Sequence, residues 1–408
     1  MTVLEHAEVL GTELMDFTEA LGRVLAEDVF AKDPLPPFPA SIKDGYAVLA
    51  SDGAGKRQVL GSSIAGVDPG YQIVLQPGQC VRINTGAPVP AGADCVVQVE
   101  DTRLIQEADD GKTELEVEIL LPPKVGQDIR AVGSDMAEGQ LVLPRGCVLG
   151  SSDLGLLATA GVTSVLVHRF PVVSVLSTGN EIQEPDRPLE AGRIRDSNKT
   201  TLLSLIKEHG FSALDLGIAR DDPQSVYMKL KEALASSDIV VTTGGVSMGE
   251  KDLLKEVLVA DVGAVIHFGR VKMKPGKPTT FATCIFEGKK KLMLGLPGNP
   301  VSAAVTSHLY LLPAMRKMSG YTLPLGTTIK ATTAEDIVLD PRPEYHRAVL
   351  TWLPHTPVPR AVSTGNQISS RLLSFSSANC LLNLPGKTEQ LEVLPAGTQV
   401  DALIIARL

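Results

Sequence analysis

The run PVVSVLSTGNE (171–181) decides the fold: an uncharged, valine-rich stretch ends in a small hydroxyl- and glycine-bearing loop and a carboxylate. A second run, DIVVTTGGVSMGEKD (238–252), has the same build, an apolar stretch followed by glycines and then acids. Continuous apolar runs read as strands buried on both faces, which is the situation of strands in a parallel sheet. Outward from these two, 200–209 and 223–235 carry helical spacing, 213–218, 264–268 and 291–296 read as strands, and 301–318 reads as one long helix. Alternating strands and helices imply right-handed crossovers, so 171–320 is predicted to form a doubly wound α/β domain with ligands at the carboxyl ends of its strands.

The flanks read differently. Apolar residues at helical spacing (Val9, Leu10, Leu14, Phe17, Leu21, Val24, Leu25) predict a helix over about 3–21, stopped by the proline run 33–39. Short stretches at 71–75, 95–100 and 115–120, separated by Gly, Pro and Asp-Gly, predict a small β-rich domain, and 150–160 returns to a helix. After Gly320 the helical periodicity ends, and 328–331, 347–352, 380–384 and 400–406 predict a terminal β-barrel or sandwich. A chain of 408 residues has room for two to four such domains.

Composition narrows the function. With 44% hydrophobic and 21% charged residues the chain can bury real cores. A net charge of -9 argues against binding nucleic acid or an anionic membrane through bulk charge. Five cysteines without a CxxC pair indicate neither a disulfide framework nor structural zinc and fit a reducing, cytoplasmic compartment. No run is long and apolar enough to span a membrane.

The chemistry collects at the strand ends. Ser177-Thr178-Gly179-Asn180-Glu181 and Thr242-Thr243-Gly244-Gly245-Val246-Ser247 can bring backbone N–H groups and hydroxyls close to a phosphate, although each alone could be an ordinary tight connection. In Lys272-Met273-Lys274-Pro275-Gly276-Lys277-Pro278 the Pro-Gly turn would let two ammonium groups converge on one oxyanion. Leu296-Pro297-Gly298-Asn299-Pro300-Val301-Ser302 feeds a helix whose first turn offers free N–H groups. Glu181, Asp196, Asp221, Asp222 and Asp252 follow predicted strands, and carboxylates beside a phosphate loop suit Mg2+. Any one of them could instead cap a helix, Asp196 most obviously.

Taken together, DPLPPFPASIKDGYAV, TGAPVPAGADCVVQVED, STGNE, TTGGVSMGEKD, MKPGKPTTFA and LPGNPVS resemble the molybdopterin molybdenumtransferase family, along essentially the whole chain and in order. DPRPEYHRAVLTW, STGNQISSRLLS and LPGKTEQ are more similar to its animal, gephyrin-type branch. The resemblance implies an elongated discontinuous domain (1–45 and 136–168), a small β domain (46–135), a MogA-like α/β domain (169–325) and a β-barrel (326–408). It also implies a homodimer, with the cleft between the α/β domain of one subunit and the small β domain of the other. The implied reaction inserts molybdate into adenylylated molybdopterin, with Mg2+-dependent hydrolysis of the adenylate, and releases molybdenum cofactor and AMP.

By the same resemblance Asp44 and Thr85 come from the partner subunit, and Glu181, Asp221 and Asp252 serve metal binding and hydrolysis. Gly245 and Ser247 line the pterin phosphate or adenylate, and Lys274, Lys277, Pro278 and Ser302 hold molybdate. Arg342 and Ser369 form a secondary anion site, and Pro297 and Pro300 shape their loop. Gephyrin-type relatives also anchor glycine and GABA-A receptors, so receptor-loop peptides are implied partners, at the postsynaptic membrane in that case. A third reading, molybdopterin adenylyltransferase, rests on the α/β domain alone.

Overall fold

The computed structural model describes residues 2–66, 73–245 and 253–406. Two compact units divide the chain, one of residues 1–15, 22–26 and 166–408, the other of 16–21 and 27–165.

The larger unit is organised by a six-stranded sheet in the order Ala213–Ala219, Val173–Thr178, Ile239–Thr243, Lys289–Leu296, Thr280–Phe286, Val265–Phe268. The first four strands are parallel, as their apolar runs predict. Thr280–Phe286 runs antiparallel to both of its neighbours, so the sheet is mixed and not parallel throughout. The cause is local: Glu287 (φ 49°) and Gly288 (φ 73°) make a two-residue turn of the kind that closes a β-hairpin, with no helix between the strands. Alternate residues feed two cores. Val173, Val175, Ile239, Val241, Leu292 and Leu294 pack with the helices Asn198–Glu208 and Leu312–Met318. Leu176, Val240 and Met293 pack on the opposite face with Pro223–Ser236 and Leu253–Ala260.

One helix expectation fails, and another holds with a change of hydrogen-bond pattern inside it. Residues 3–21 do not form one helix: the helix is Thr2–His6, and Thr12–Asp16 is a strand. Gly11 interrupts the segment, and only part of its apolar stripe meets a core. Val3 and Ala7 are buried, whereas Val9, Leu14 and Leu21 are exposed. The predicted helix 301–318 is α-helical at Pro300–Thr306 and Leu312–Met318 but widens to a π-turn at Ser307–Leu311. Pro313 lacks an N–H and would press on the carbonyl four residues back, a conflict that the wider turn relieves.

The carboxy-terminal strands Thr328–Thr333, Arg360–Ser363, Glu344–Thr351, Cys380–Leu384 and Gln399–Ile404 close into a barrel, settling barrel against sandwich. Ala331, Ala348, Leu350, Leu382, Leu384 and Ala402 fill it. In the smaller unit a six-stranded sheet runs Cys95–Gln98, Gly45–Val48, Gln79–Ile83, Gly55–Ser63, Glu114–Ile119, Thr102–Glu107 around Tyr46, Val48, Cys80, Val97 and Val117. Part of the predicted strand 71–75 lies outside the described residues. Among the described residues no helix is long and apolar enough to cross a membrane.

Candidate active site

Three loops meet where the parallel strands of the larger unit end, and backbone packing dictates the glycine at 244. At Gly179 (φ +147°) a Cβ would stand 2.5 Å from Glu181 Oε2, and at Gly244 (φ +84°) it would stand 2.3 Å from the Thr178 carbonyl oxygen. The loop after Val173–Thr178 is tied to the loop after Ala213–Ala219 in both directions. Asn180 N donates to Asp221 Oδ2 at 3.2 Å, and Asp221 N donates to Asn180 Oδ1 at 3.3 Å. Asn198 Nδ2 donates to Gly298 O at 2.8 Å and fixes the proline loop that follows the fourth strand.

These loops enclose a cavity of about 530 Å³ lined by Thr178, Glu181, Asp196, Gly244, Gly245, Pro278, Pro297 and Pro300, among others. A second cavity of about 420 Å³ is lined by Lys274, Lys277, Pro278, Ser302, Arg342 and Ser369. Pro278 and Asn299 line both. Glu181, Gly245, Pro297 and Pro300 are thus gathered at one cavity. The four residues expected at molybdate and the two expected at a separate anion site share the other. Ser247 and Asp252 lie outside the described residues. Asp222, one of the strand-end acids, caps the helix Pro223–Ser236 by accepting from Ser225 N at 2.8 Å.

The two lysines of the second cavity are not equivalent, which corrects the picture of two free ammonium groups converging. Lys274 Nζ lies 3.2 Å from Glu344 Oε2 and 3.5 Å from Asp340 Oδ2. Lys277 is exposed and forms no ion pair among the described residues. Arg342 is held on Asp340, its Nε donating to Oδ1 at 2.9 Å and its Nη2 to Oδ2 at 3.2 Å. The Arg342 hydrogen bond is the main reason why the Asp340 carboxyl is held down to about 2, against the lesser opposing push of burial. Burial alone would raise Glu344, but His346 and Lys274 outweigh it and hold it below its ordinary value. His346 is structural, its Nε2 2.8 Å from Ser363 Oγ, while its Nδ1 lies 3.3 Å from Glu344 Oε1 without hydrogen-bond geometry.

Arg347 and Gln367 hold this cavity in shape, a role that spacing along the chain does not reveal. Arg347, fully buried and pushed down to about 10 by that burial, donates to Ser374 Oγ at 3.1 Å and to the Ile368 carbonyl at 3.4 Å. Gln367 Oε1 accepts from Arg347 N at 2.9 Å, so strand Glu344–Thr351 grips the loop that carries Ser369. The acids flanking Arg342 in DPRPE were the available signal, since charges so close to an arginine commonly pair with it.

In the smaller unit Asp44 Oδ1 accepts from Thr85 N at 2.7 Å, so the expected pair Asp44 and Thr85 is brought together. That backbone bond, ahead of other contacts, lowers the Asp44 carboxyl from its ordinary value. All five cysteines are free, and burial pushes the thiols of Cys80, Cys95 and Cys380 up to about 12, which leaves them unsuited as nucleophiles.

A doubly wound sheet with glycine loops at its strand ends, a cation-lined cavity beside them and a terminal barrel define a multidomain α/β protein suited to phosphorylated and oxyanion ligands. Residues 1–161 match the MoeA N-terminal region (domain I and II), 174–317 a probable molybdopterin binding domain, and 330–405 the MoeA C-terminal region (domain IV). Gephyrin of Dictyostelium discoideum is 40% identical over 99% of this chain and 61% of its own length. The molybdenum cofactor synthesis protein cinnamon of Drosophila melanogaster is 41% identical over 95% of this chain and 63% of its own. A molybdopterin molybdenumtransferase of Staphylococcus epidermidis is 33% identical over 98% and 92%. The crystal structure of the molybdopterin biosynthesis MoeA protein of Pyrococcus horikoshii superposes with a TM-score of 0.80 at 29% identity, covering 99% of this chain and 97% of that one. The chain belongs to the molybdopterin molybdenumtransferase family, which includes MoeA and the gephyrin E domain. It spans under two thirds of the length of the Dictyostelium and Drosophila relatives.

Proposed function

We propose that this chain inserts molybdate into adenylylated molybdopterin and hydrolyses the adenylate, releasing molybdenum cofactor and AMP. The observation that carries this reading is the adjacency of the two cavities across the shared wall of Pro278 and Asn299. A tetrahedral dianion suits the compartment bearing Lys277, Lys274, Arg342 and the Ser302 hydroxyl. A phosphate-linked pterin suits the neighbouring compartment with its glycine turn. Holding the two reactants side by side in fixed orientation is itself a large part of such catalysis.

Mg2+ fits the residues present. Glu181 and Asp221 stand on neighbouring loops, and Mg2+ takes one or two carboxylates and completes its shell with phosphate oxygens and water. No group of three or more potential ligands forms among the described residues. Glu181, Asp221 and Asp252 would hold the ion, which neutralises phosphate charge when bound. The adenylyltransferase reading is disfavoured, because the regions on both sides of the α/β domain match the transferase family.

Further parts of this proposal are the four-domain division, a cytoplasmic location and a homodimer in which Asp44 and Thr85 complete the partner's site. Binding of receptor-loop peptides is a separate activity, supported by likeness to gephyrin and tested by calorimetry with such a peptide. The main test is AMP release from adenylylated molybdopterin with and without molybdate. Lys277→Ala and Glu181→Ala are expected to fold and to lose molybdate-dependent release, and chelation of Mg2+ to stop it. Undiminished turnover in both variants overturns the site.

A further inference from the structure

The strand-end cavity holds one acid that the reaction above leaves without a role. Asp196, just ahead of the helix Asn198–Glu208, is 4% exposed and lines the cavity. Its Oδ1 accepts from Lys199 N at 3.1 Å, the work of a helix cap. Its Oδ2 is buried and has no hydrogen-bond partner among the described residues. The nearby donors are committed elsewhere. The Lys199 ammonium goes to Glu184 at 2.6 Å and Asp215 at 3.3 Å, and the Asn198 amide goes to Gly298 O. A cap needs only one oxygen, and a buried carboxylate oxygen left unpaired is unfavourable enough that most are satisfied by water or ligand. Around it, Ile182, Ile194, Pro297 and Pro300 offer aliphatic surface of the kind on which a flat ring packs.

We propose that Asp196 is a specificity-determining residue whose free oxygen accepts an N–H from the aminopyrimidinone edge of the substrate's pterin. Because Oδ1 is already held by Lys199 N, the free oxygen takes a single donor, the exocyclic 2-amino group of that edge. The inference rests on the function proposed above and adds to it how the heterocycle is told from its analogues. A site built around a hydrogen bond rejects a ligand lacking the donor, because the protein acceptor is then left buried and unpaired.

The test titrates the full chain with three probes: a 6-substituted pterin monophosphate, its lumazine counterpart with oxygen in place of the 2-amino group, and AMP. The wild type is expected to prefer the pterin over the lumazine by about ten- to a hundredfold. Asp196→Asn keeps an oxygen for Lys199 N but presents an amide donor in place of Oδ2. It is expected to abolish that preference while leaving AMP affinity and thermal stability unchanged. Asp196→Ser, which can also cap, carries the same expectation if the Asn variant does not fold. An undiminished preference in the variants makes Asp196 a cap only and overturns the inference while the function stands. Loss confined to AMP overturns it in favour of an adenine contact. A wild type that binds no pterin phosphate overturns both the inference and the function proposed.

Discussion

The two adjoining cavities are built on opposite principles. The strand-end cavity takes its shape from backbone: Gly179 and Gly244 sit where a Cβ would strike Glu181 or Thr178, and reciprocal Asn180–Asp221 bonds set the loops. The cationic cavity takes its character from side chains. Lys274 and Arg342 are each held by carboxylates, Lys277 is left exposed, and the supporting wall is contributed by the barrel segment that enters strand Glu344–Thr351. The first should therefore fail through strain and the second through charge.

Lys277→Ala tests that division most sharply. Removing this unpaired charge from the cavity lining is expected to lower molybdate-dependent AMP release about a hundredfold or more, with no change in thermal stability. Gly244→Ala should do the reverse. A Cβ 2.3 Å from a carbonyl oxygen at positive φ forces the loop to move and is expected to lose about 3 kcal/mol, read by denaturant unfolding. An unchanged midpoint would show that the loop yields freely and that backbone packing does not set this cavity.

Lys274→Ala should show both signatures. It leaves Glu344, only 2% exposed, without its ammonium partner, so a loss of about 2 kcal/mol should accompany the loss of activity. A variant of full stability would place Lys274 with Lys277 and erase the distinction between them. Acid titration probes the same network more gently. The Asp340 carboxyl is held at about 2, below its ordinary 3.8, so its contribution is present above about pH 4 and disappears as pH falls toward 2. For a side chain 16% exposed this amounts to about 2 kcal/mol, and the stability of Asp340→Asn should be flatter across that window. The smallest effect is expected at Ser369. The structure uses its carbonyl, which accepts from Val301 N at 3.1 Å, so Ser369→Ala should keep the loop in place and change anion affinity only about threefold.

Much of the site was legible because its residues serve local chemistry. Glycines, prolines and lysines packed into short motifs signal a turn or a charge whatever the fold, and Glu181, Gly245, Lys277, Pro297 and Pro300 were marked on that basis. The parallel half of the sheet was legible because burial on both faces leaves an unmistakable apolar run. What was misread depends on distant partners. The stripe over 3–21 has helical spacing, yet only Val3 and Ala7 find the core, and a stripe with nothing to pack against does not hold a helix. The 280–286 strand hides behind a lysine motif, and its direction is set by the Glu287-Gly288 turn.

By itself the sequence determined the order of structural classes, the strand-end position of the chemistry and the family, since each is written in contiguous residues. Only the tertiary structure decided that Arg342 and Ser369 join the lysines in one cavity, that Lys274 is held by Asp340 and Glu344 while Lys277 is not, and that one oxygen of Asp196 is left over. The reason is physical: whether a charge is free or spent depends on which opposite charge folding brings within about 4 Å, and spacing along the chain does not fix that distance.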